Sequence, residues 1–150
     1  MSEGLIHVAL AILYNKNGQF LMQLRDNIPT IVHPGKWSFF GGHLEPGEVP
    51  AEGVKRELLE EIGYTPAELR EFRCYSDGKV ARHIFYAPLN RGLDELQLNE
   101  GWDMGLITTQ EIEKGEAFSE KAGGVWPLSD VYRSILLEFI SQNSGLFGDF

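Results

Sequence analysis

The chain has very little cysteine and no long apolar run. Its single cysteine, Cys74, cannot form an internal disulfide, and we assign it no role. No apolar run approaches the ~18 residues that a membrane-spanning helix needs. The first residues, Met1 to Gly4, do not combine a basic region with an apolar stretch, which is the pattern of a signal peptide. We therefore expect a cytoplasmic protein without a membrane partner.

Basic residues are also scarce, because 13 Lys and Arg face 22 Asp and Glu and leave a formal net charge of −9. Proteins that bind nucleic-acid duplexes carry a basic surface that neutralises phosphates, so this composition argues against a duplex partner. An acidic protein that handles anionic phosphates needs a cation between the two. With 150 residues and 43% hydrophobic content, the chain suits a single domain, 1–150, that buries its core without disulfides or structural metal.

The chain does contain three glutamates at helical spacing. Glu57, Glu60 and Glu61 stand at i, i+3 and i+4, so a helix through them places three carboxylates on one face. Like charges at this spacing destabilise a helix by roughly 0.2–0.5 kcal/mol per pair, and the helix dipole adds repulsion near its end at Gly63. A divalent cation reverses both effects, and carboxylate oxygens suit the hard ions Mg²⁺ or Mn²⁺. A solvated acidic helix end is the alternative.

The same helix has a second, apolar face, formed by Val54, Leu58 and Ile62 at core spacing. Arg56 stands four residues before Glu60, where it can orient or partly neutralise that carboxylate. The helix therefore combines a core face with an acidic face that has its own basic partner. This combination favours a cation site over a merely solvated end.

The segment resembles the signature of the Nudix hydrolases, the MutT-like superfamily. The fixed positions of that signature, called the box below, are Gly42, Glu48, Arg56, Glu57, Leu58, Glu60, Glu61 and Gly63. Tyr64 departs slightly, because the family usually closes the box with an aliphatic residue. The box covers 23 of the 150 residues. Eight fixed positions at fixed spacing make this a specific signal.

The resemblance implies a role for each box residue. The implied principal metal ligands are Glu57, Glu60 and Glu61. In the MutT branch, proton abstraction is assigned to the position that Glu57 occupies here. Glu48 completes the box acids as a further candidate ligand, and Gly41 lies where a backbone carbonyl contacts the metal. Arg56 is the implied orienting partner of the catalytic carboxylates.

Outside the box, the run Asn99-Glu100-Gly101 resembles a Lys-Glu-Gly segment that gives MutT a further acidic ligand or base. Glu100 is therefore the implied external catalytic carboxylate. From spacing alone, a surface acid in a turn is an equally good interpretation of this position. Three nearby acids compete for the same role: Asp94, Glu95 and Asp103.

Three residues beside the catalytic acids are candidates for substrate binding. His43 directly follows the two glycines and could reach a substrate phosphate, whereas His7 and His83 fall in predicted strands and are more often structural. Trp37 and Phe40 precede the box and offer rings on which a nucleobase could stack, although such rings more often belong to the core.

The pattern along the chain predicts strands interrupted by one central helix and closed by a C-terminal helix. Apolar or alternating runs predict strands at 5–14, 20–25, 37–40, 69–75, 80–88 and 96–98. Helical periodicity predicts helices from Pro50 to about Ile62 and within 127–142. This order indicates an α/β protein, and the resemblance implies the Nudix fold, an α/β/α sandwich around a mixed β-sheet.

Gly53 lies inside the predicted central helix, where it should cost about 1 kcal/mol relative to alanine. Two explanations are open. Either the helix packs closely against a neighbouring backbone at this point, or the position provides clearance for a metal ion or a phosphate.

These residues together predict a metal-dependent pyrophosphohydrolase. It would cleave a phosphoanhydride bond of a nucleoside diphosphate linked to another group, either a nucleoside triphosphate or a nucleotide sugar. A small-molecule nucleotide is the expected partner, and the sequence leaves open whether the chain forms a homodimer. The alternative is a non-catalytic nucleotide-binding sensor of Nudix fold. Such sensors usually lose box acids, and every box acid is present here.

Overall fold

The computed structural model describes residues 4–146. Their strands are β1 (Ile6–Tyr14), β2 (Phe20–Leu24), β3 (Trp37–Ser38), β4 (Phe40–His43), β5 (Arg70–Ser76), β6 (Val80–Pro88), β7 (Asp103–Ile107), β8 (Glu116–Ser119) and β9 (Gly124–Pro127). Their α-helices are α1 (Pro50–Ile62), α2 (Thr109–Lys114) and α3 (Asp130–Gln142). Groups of strands are separated by α1 and α2 and followed by α3, which confirms the predicted α/β class.

Contacts among these elements define two compact units. The first consists of Met1–Leu13 and Phe40–Asn99, and the second of Tyr14–Phe39 and Glu100–Phe150. The expectation of a single domain over the whole chain stays a prediction. Among the helices of residues 4–146, none is long and apolar enough to cross a membrane.

In the first unit, β6 lies between β1 and β5, and β4 pairs antiparallel with β1. β5 and β6 form an antiparallel hairpin whose turn is stabilised by Asp77, which accepts hydrogen bonds from the N–H groups of Lys79 and Val80. α1 packs against β4 and β6. Its predicted apolar face is fully buried: Val54, Leu58 and Ile62.

α1 has the bounds that the sequence predicts. Pro50 occupies the first helical position, where an N–H would have no helical partner. Val49 at the N-cap provides no side-chain acceptor, so the first turn lacks a side-chain cap. Gly63 ends the helix in the left-handed region, at φ 67°, and its N–H donates to the carbonyl of Leu59.

The last of the predicted strands does not form, and that prediction is wrong. The N–H of Gln97 donates to the carbonyl of Ile62 at 3.0 Å. Asn99 donates twice at 2.9 Å, from its backbone N–H to the carbonyl of Glu61 and from its side-chain amide to the carbonyl of Glu60. The segment therefore gives its donors to the C-terminal end of α1 rather than to a neighbouring strand.

In the second unit, β2 pairs antiparallel with β3 and with β7, and β8 and β9 form a hairpin. An isolated parallel bridge joins Trp37 of β3 to Leu128, which lies outside the named strands. The run predicted as one strand from Trp37 is divided at Phe39, whose ring stacks on Tyr132 with centroids 4.8 Å apart. α2 begins with a capping box of Thr108 and Glu111. Four elements were not predicted from the sequence: β7, α2, β8 and β9.

Candidate active site

The carboxylate of Glu61 is fixed by the backbone of β4. Glu61 is 3% exposed, and its Oε1 accepts a hydrogen bond from the N–H of Gly41 at 2.8 Å. Gly41 has φ 134°, and a Cβ built on it would lie 2.1 Å from the carbonyl oxygen of Ala9. Only glycine fits at this position, so the donor that orients Glu61 depends on the absence of a side chain.

The carboxylate of Glu57 lies against the second glycine. A Cβ built on Gly42 would fall 2.8 Å from Oε2 and 2.9 Å from Oε1 of Glu57. The Glu57 side chain is 14% exposed, whereas that of Glu60 is 60% exposed. The helix therefore holds Glu61 in the interior, Glu57 near the surface and Glu60 in solvent. The sequence spacing predicts a common face but not these different depths.

Arg56 connects the acids to the loop that precedes the helix. Its Nε and Nη2 donate to the two carboxylate oxygens of Glu48 at 2.8 and 2.9 Å, and Nη2 also donates to the carbonyl of His43 at 3.2 Å. Its Nη1 lies 3.2 Å from Glu57 and 3.4 Å from Glu60. The predicted contact with Glu60 is present, but the bidentate pair with Glu48 is shorter.

Glu48 is strongly held in its ionised form. Its pKa falls to about 2, chiefly because Arg56 donates to it and next because the N–H of Glu45 donates to it at 2.9 Å. The same pairing raises the pKa of Arg56 above its usual value. Glu48 thus ties Arg56 to the box loop, which we define as residues 43–49. The role of Glu48 as a metal ligand stays a prediction.

The other predicted site residues have different surroundings. His43 is exposed at the end of β4, in the same unit as the helix acids. Phe40 and Trp37 are each 1% exposed, and the Trp37 indole donates to the carbonyl of Ala117 at 3.2 Å, so both rings belong to the core. Glu100 is exposed and belongs to the second unit. The substrate contacts of the first three and the catalytic role of Glu100 remain predictions.

Two of the acids that compete with Glu100 have local partners. Glu95 caps the 3-10 turn that contains it and pairs with Arg91 at 3.8 Å. Asp103 accepts a hydrogen bond from the hydroxyl of Ser119 at 2.7 Å. Asp94 is exposed in the same 3-10 turn as Glu95.

A cavity of about 510 Å³ lies beside the box loop in the first unit. Its lining includes His7, His43 and His83. His7 Nδ1 and His83 Nε2 are 3.0 Å apart, and the pKa of His83 is lowered by burial and then by the neighbouring His7. This histidine pair was not predicted, because no local signal in the sequence shows that β1 and β6 are neighbours.

The NUDIX domain family model matches residues 5–122 of the chain. The matched segment covers most of the 150 residues and includes both glycines, the box loop and α1. The chain belongs to the NUDIX family. The resemblance that the box residues indicate is thereby confirmed.

Two curated NUDIX relatives match part of the chain. The chain is 33% identical over 79 residues to the 8-oxo-dGTP diphosphatase of Escherichia coli (strain K12), which covers 53% of this chain and 60% of that protein. It is 32% identical over 82 residues to nucleoside triphosphatase NudI of Salmonella paratyphi B, which covers 48% of this chain and 57% of that protein. The chain thus spans a little over half the length of these relatives.

Solved NUDIX structures share the fold. One match is a chain from the structural study of MutT from Aliivibrio salmonicida and Vibrio cholerae, with a TM-score of 0.70 at 21% identity. The superposition covers 91% of the present chain and 98% of the MutT chain. The NUDIX domain of Shewanella oneidensis NrtR, solved with ADP ribose, has a TM-score of 0.70 at 14% identity over 92% of this chain and 88% of that one. The predicted Nudix fold is confirmed.

Nudix hydrolases generally use divalent metals, and the chemistry of the acids on α1 fits such an ion. Glu57, Glu60 and Glu61 offer only carboxylate oxygens, which are the ligands that hard divalent cations prefer. Within residues 4–146, however, no three His, Cys, Asp or Glu side chains are already gathered as a metal site. Arg56 brings a positive charge to two of these acids, 3.2 Å from Glu57 and 3.4 Å from Glu60.

Proposed function

We propose that this NUDIX chain is a metal-dependent pyrophosphohydrolase that uses Mg²⁺ or Mn²⁺. It would cleave a phosphoanhydride bond of a nucleoside diphosphate linked to another group. The observation that carries the proposal is the carboxylate arrangement on α1, in which the Gly41 N–H fixes Glu61 and Gly42 leaves room for Glu57. The names of the two relatives, a nucleotide diphosphatase and a nucleoside triphosphatase, support the reaction class. A nucleoside triphosphate is therefore the first substrate class to test, and a nucleotide sugar the second.

The three helix acids share one role in the proposed reaction, and Glu57 has a second. Glu57, Glu60 and Glu61 are the residues that would hold the cation. When bound, the cation supplies positive charge for the phosphoryl oxygens and makes a water molecule easier to deprotonate. Glu57 accepts the proton that the attacking water loses, and its place against Gly42 sets the direction from which it does so. Glu100 is the other candidate base.

Arg56 acts on the reaction through its neighbours. It orients Glu57 at 3.2 Å, and its bonds to Glu48 and to the carbonyl of His43 tie α1 to the box loop. The loop and the catalytic helix are thereby held as one surface. His43 lies on this surface, next to Gly42, where we propose that it contacts a substrate phosphate.

The test measures the products of phosphoanhydride cleavage across a substrate panel. Nucleoside triphosphates would give a nucleoside mono- or diphosphate with pyrophosphate or phosphate, and nucleotide sugars would give a nucleoside monophosphate with a sugar phosphate. We expect turnover with Mg²⁺ or Mn²⁺ and none in excess EDTA. Glu57→Gln, Glu60→Gln and Glu61→Gln should each lower kcat by about 10²–10⁴. Glu52→Gln is the matched control, because Glu52 is an exposed acid on the first turn of the same helix, and it should keep the parental kcat.

Turnover in EDTA, or parental kcat in all three helix variants, would contradict the proposal. Nucleotide binding without turnover across the whole panel would favour the non-catalytic sensor instead.

A further inference from the structure

The C-terminal end of α1 has all of its carbonyls satisfied. The last four carbonyls of a helix have no helical partner and need donors from outside the helix. In α1 the N–H of Gly63 donates to the carbonyl of Leu59 at 3.1 Å. The remaining three carbonyls, those of Glu60, Glu61 and Ile62, accept hydrogen bonds from the segment 97–99.

Asn99 supplies two of these three hydrogen bonds. Its backbone N–H donates to the carbonyl of Glu61 and its side-chain Nδ2 to the carbonyl of Glu60, both at 2.9 Å. The carbonyls that Asn99 caps therefore belong to the two adjacent residues whose side chains are proposed cation ligands. Gln97 supplies the third bond, to Ile62, which carries no such side chain.

We propose that Asn99 is a positioning residue that fixes the Glu60–Glu61 turn for cation binding. The proposal rests on the proposed function, which assigns the carboxylates of Glu60 and Glu61 to the cation. A donor on each carbonyl fixes the orientation of two successive peptide planes, and with them the directions in which both side chains leave the helix. The same donors offset the partial negative charge of the helix end, which otherwise repels the two carboxylates.

The chain contains a matched control for this cap. At the end of α3, Asn143 donates from Nδ2 to the carbonyl of Phe139 at 3.0 Å and from its N–H to the carbonyl of Ile140 at 3.4 Å. As at Asn99, an asparagine donates from Nδ2 and from its backbone N–H to two successive carbonyls, although Asn143 caps its own helix and Asn99 reaches α1 from a segment distant in the chain. The capped residues, however, carry no carboxylate, so this cap contributes only to helix stability.

The experiment titrates metal-free protein with Mn²⁺ and follows the free ion by electron paramagnetic resonance. Asn99→Ala should raise the Mn²⁺ dissociation constant on the order of 10-fold, as the loss of contacts that orient metal ligands does elsewhere. Asn99→Asp should weaken binding at least as much, because it keeps the size, loses the amide donor and adds negative charge at the helix end. Asn143→Ala should bind Mn²⁺ like the parent. In metal-free protein, Asn99→Ala and Asn143→Ala should lower Tm by similar amounts, roughly 2–4 °C each.

The outcomes separate the two proposals. Parental Mn²⁺ affinity in Asn99→Ala, tighter binding in Asn99→Asp, or an equal loss in Asn143→Ala would overturn the positioning role while leaving the proposed function intact. Failure of the parent protein to bind Mn²⁺ would instead overturn the cation site itself, and the role of Asn99 with it.

Discussion

Gly41 and Gly42 orient two carboxylates by having no side chains of their own. At Gly41 a Cβ would collide with the carbonyl of Ala9, and at Gly42 it would enter the space of the Glu57 carboxylate. The acids of the site therefore depend on backbone positions as much as on one another. Glu48 differs from these two acids, because it is held by an ion pair with the Arg56 side chain.

Glu48 allows a prediction about pH at this scale. Its pKa is lowered from 4.5 to about 2 in the folded protein. A group with a depressed folded pKa adds stability that is present above the unfolded pKa and lost as the pH falls through the folded pKa. Glu48→Gln should therefore lower Tm near neutral pH, and its difference from the parent should shrink as the pH falls from about 4.5 to about 2.

Thermal unfolding followed by circular dichroism between about pH 2 and 8, a range that includes the titration of carboxylates, checks this expectation. Glu45→Gln is the control, because Glu45 is exposed and lies 3.8 Å from Arg56, and its effect should be smaller. A Tm difference for Glu48→Gln that does not vary with pH would contradict the ion-pair explanation.

The identity of the box acids could be predicted from the sequence, because their types and spacing are local. The environment of each acid could not. Glu60 and Glu61 are adjacent in sequence, yet one is in solvent and the other is buried beside the N–H of Gly41. That difference arises from β4, which lies elsewhere in the chain. For the same reason, no sequence signal shows that Asn99 caps their carbonyls.

Among the elements, α1 was predictable because its signals lie within it. Pro50 marks its start, Gly63 its end and the apolar stripe its buried face. β7, α2, β8 and β9 are four to six residues long, too short for a period to show. The strand predicted at 96–98 failed because its donors bond to α1, a tertiary contact that outweighs the local β propensity of the segment.

Gly53 gives a prediction for the helix and loop as a pair. A Cβ on Gly53 would lie 2.2 Å from Cδ2 of Leu44 and 3.1 Å from Oε1 of Glu48, so the helix packs closely on the box loop here. Gly53→Ala gains about 1 kcal/mol of helix propensity but must displace Leu44, at a cost of about 1–3 kcal/mol. Alone, it should leave the free energy of unfolding unchanged or lower it. In a Leu44→Ala background, the effect of Gly53→Ala on the free energy of unfolding should be more favourable by at least about 1 kcal/mol.

Urea unfolding of the parent, both single variants and the double variant measures this coupling. Ala51→Gly is the control, because Ala51 is exposed on the same helix and its effect should add to that of Leu44→Ala. Additive effects of Gly53→Ala and Leu44→Ala would contradict the close packing described above.

At the scale of the whole molecule, the net charge of −9 and the acids on α1 both affect the stability of the folded state. Self-repulsion of a strongly acidic chain lowers the stability of the compact state, and any cation in solution relieves part of it by screening. A cation bound at one site acts differently. It stabilises the folded state in proportion to the logarithm of its concentration over its dissociation constant.

These two effects can be separated by thermal unfolding in the presence of metal. At a Mn²⁺ concentration of about 100 times the dissociation constant, binding adds about 2.7 kcal/mol, or roughly 5–10 °C in Tm. Glu60→Gln should lose most of this rise, although its metal-free Tm should stay close to that of the parent, because the variant removes one like-charge pair together with the ion pair to Arg56. Glu52→Gln should keep the full rise. An equal rise in Glu60→Gln, or in the parent with potassium chloride at matched ionic strength, would mean that Mn²⁺ acts by screening the net charge rather than by binding to the helix acids.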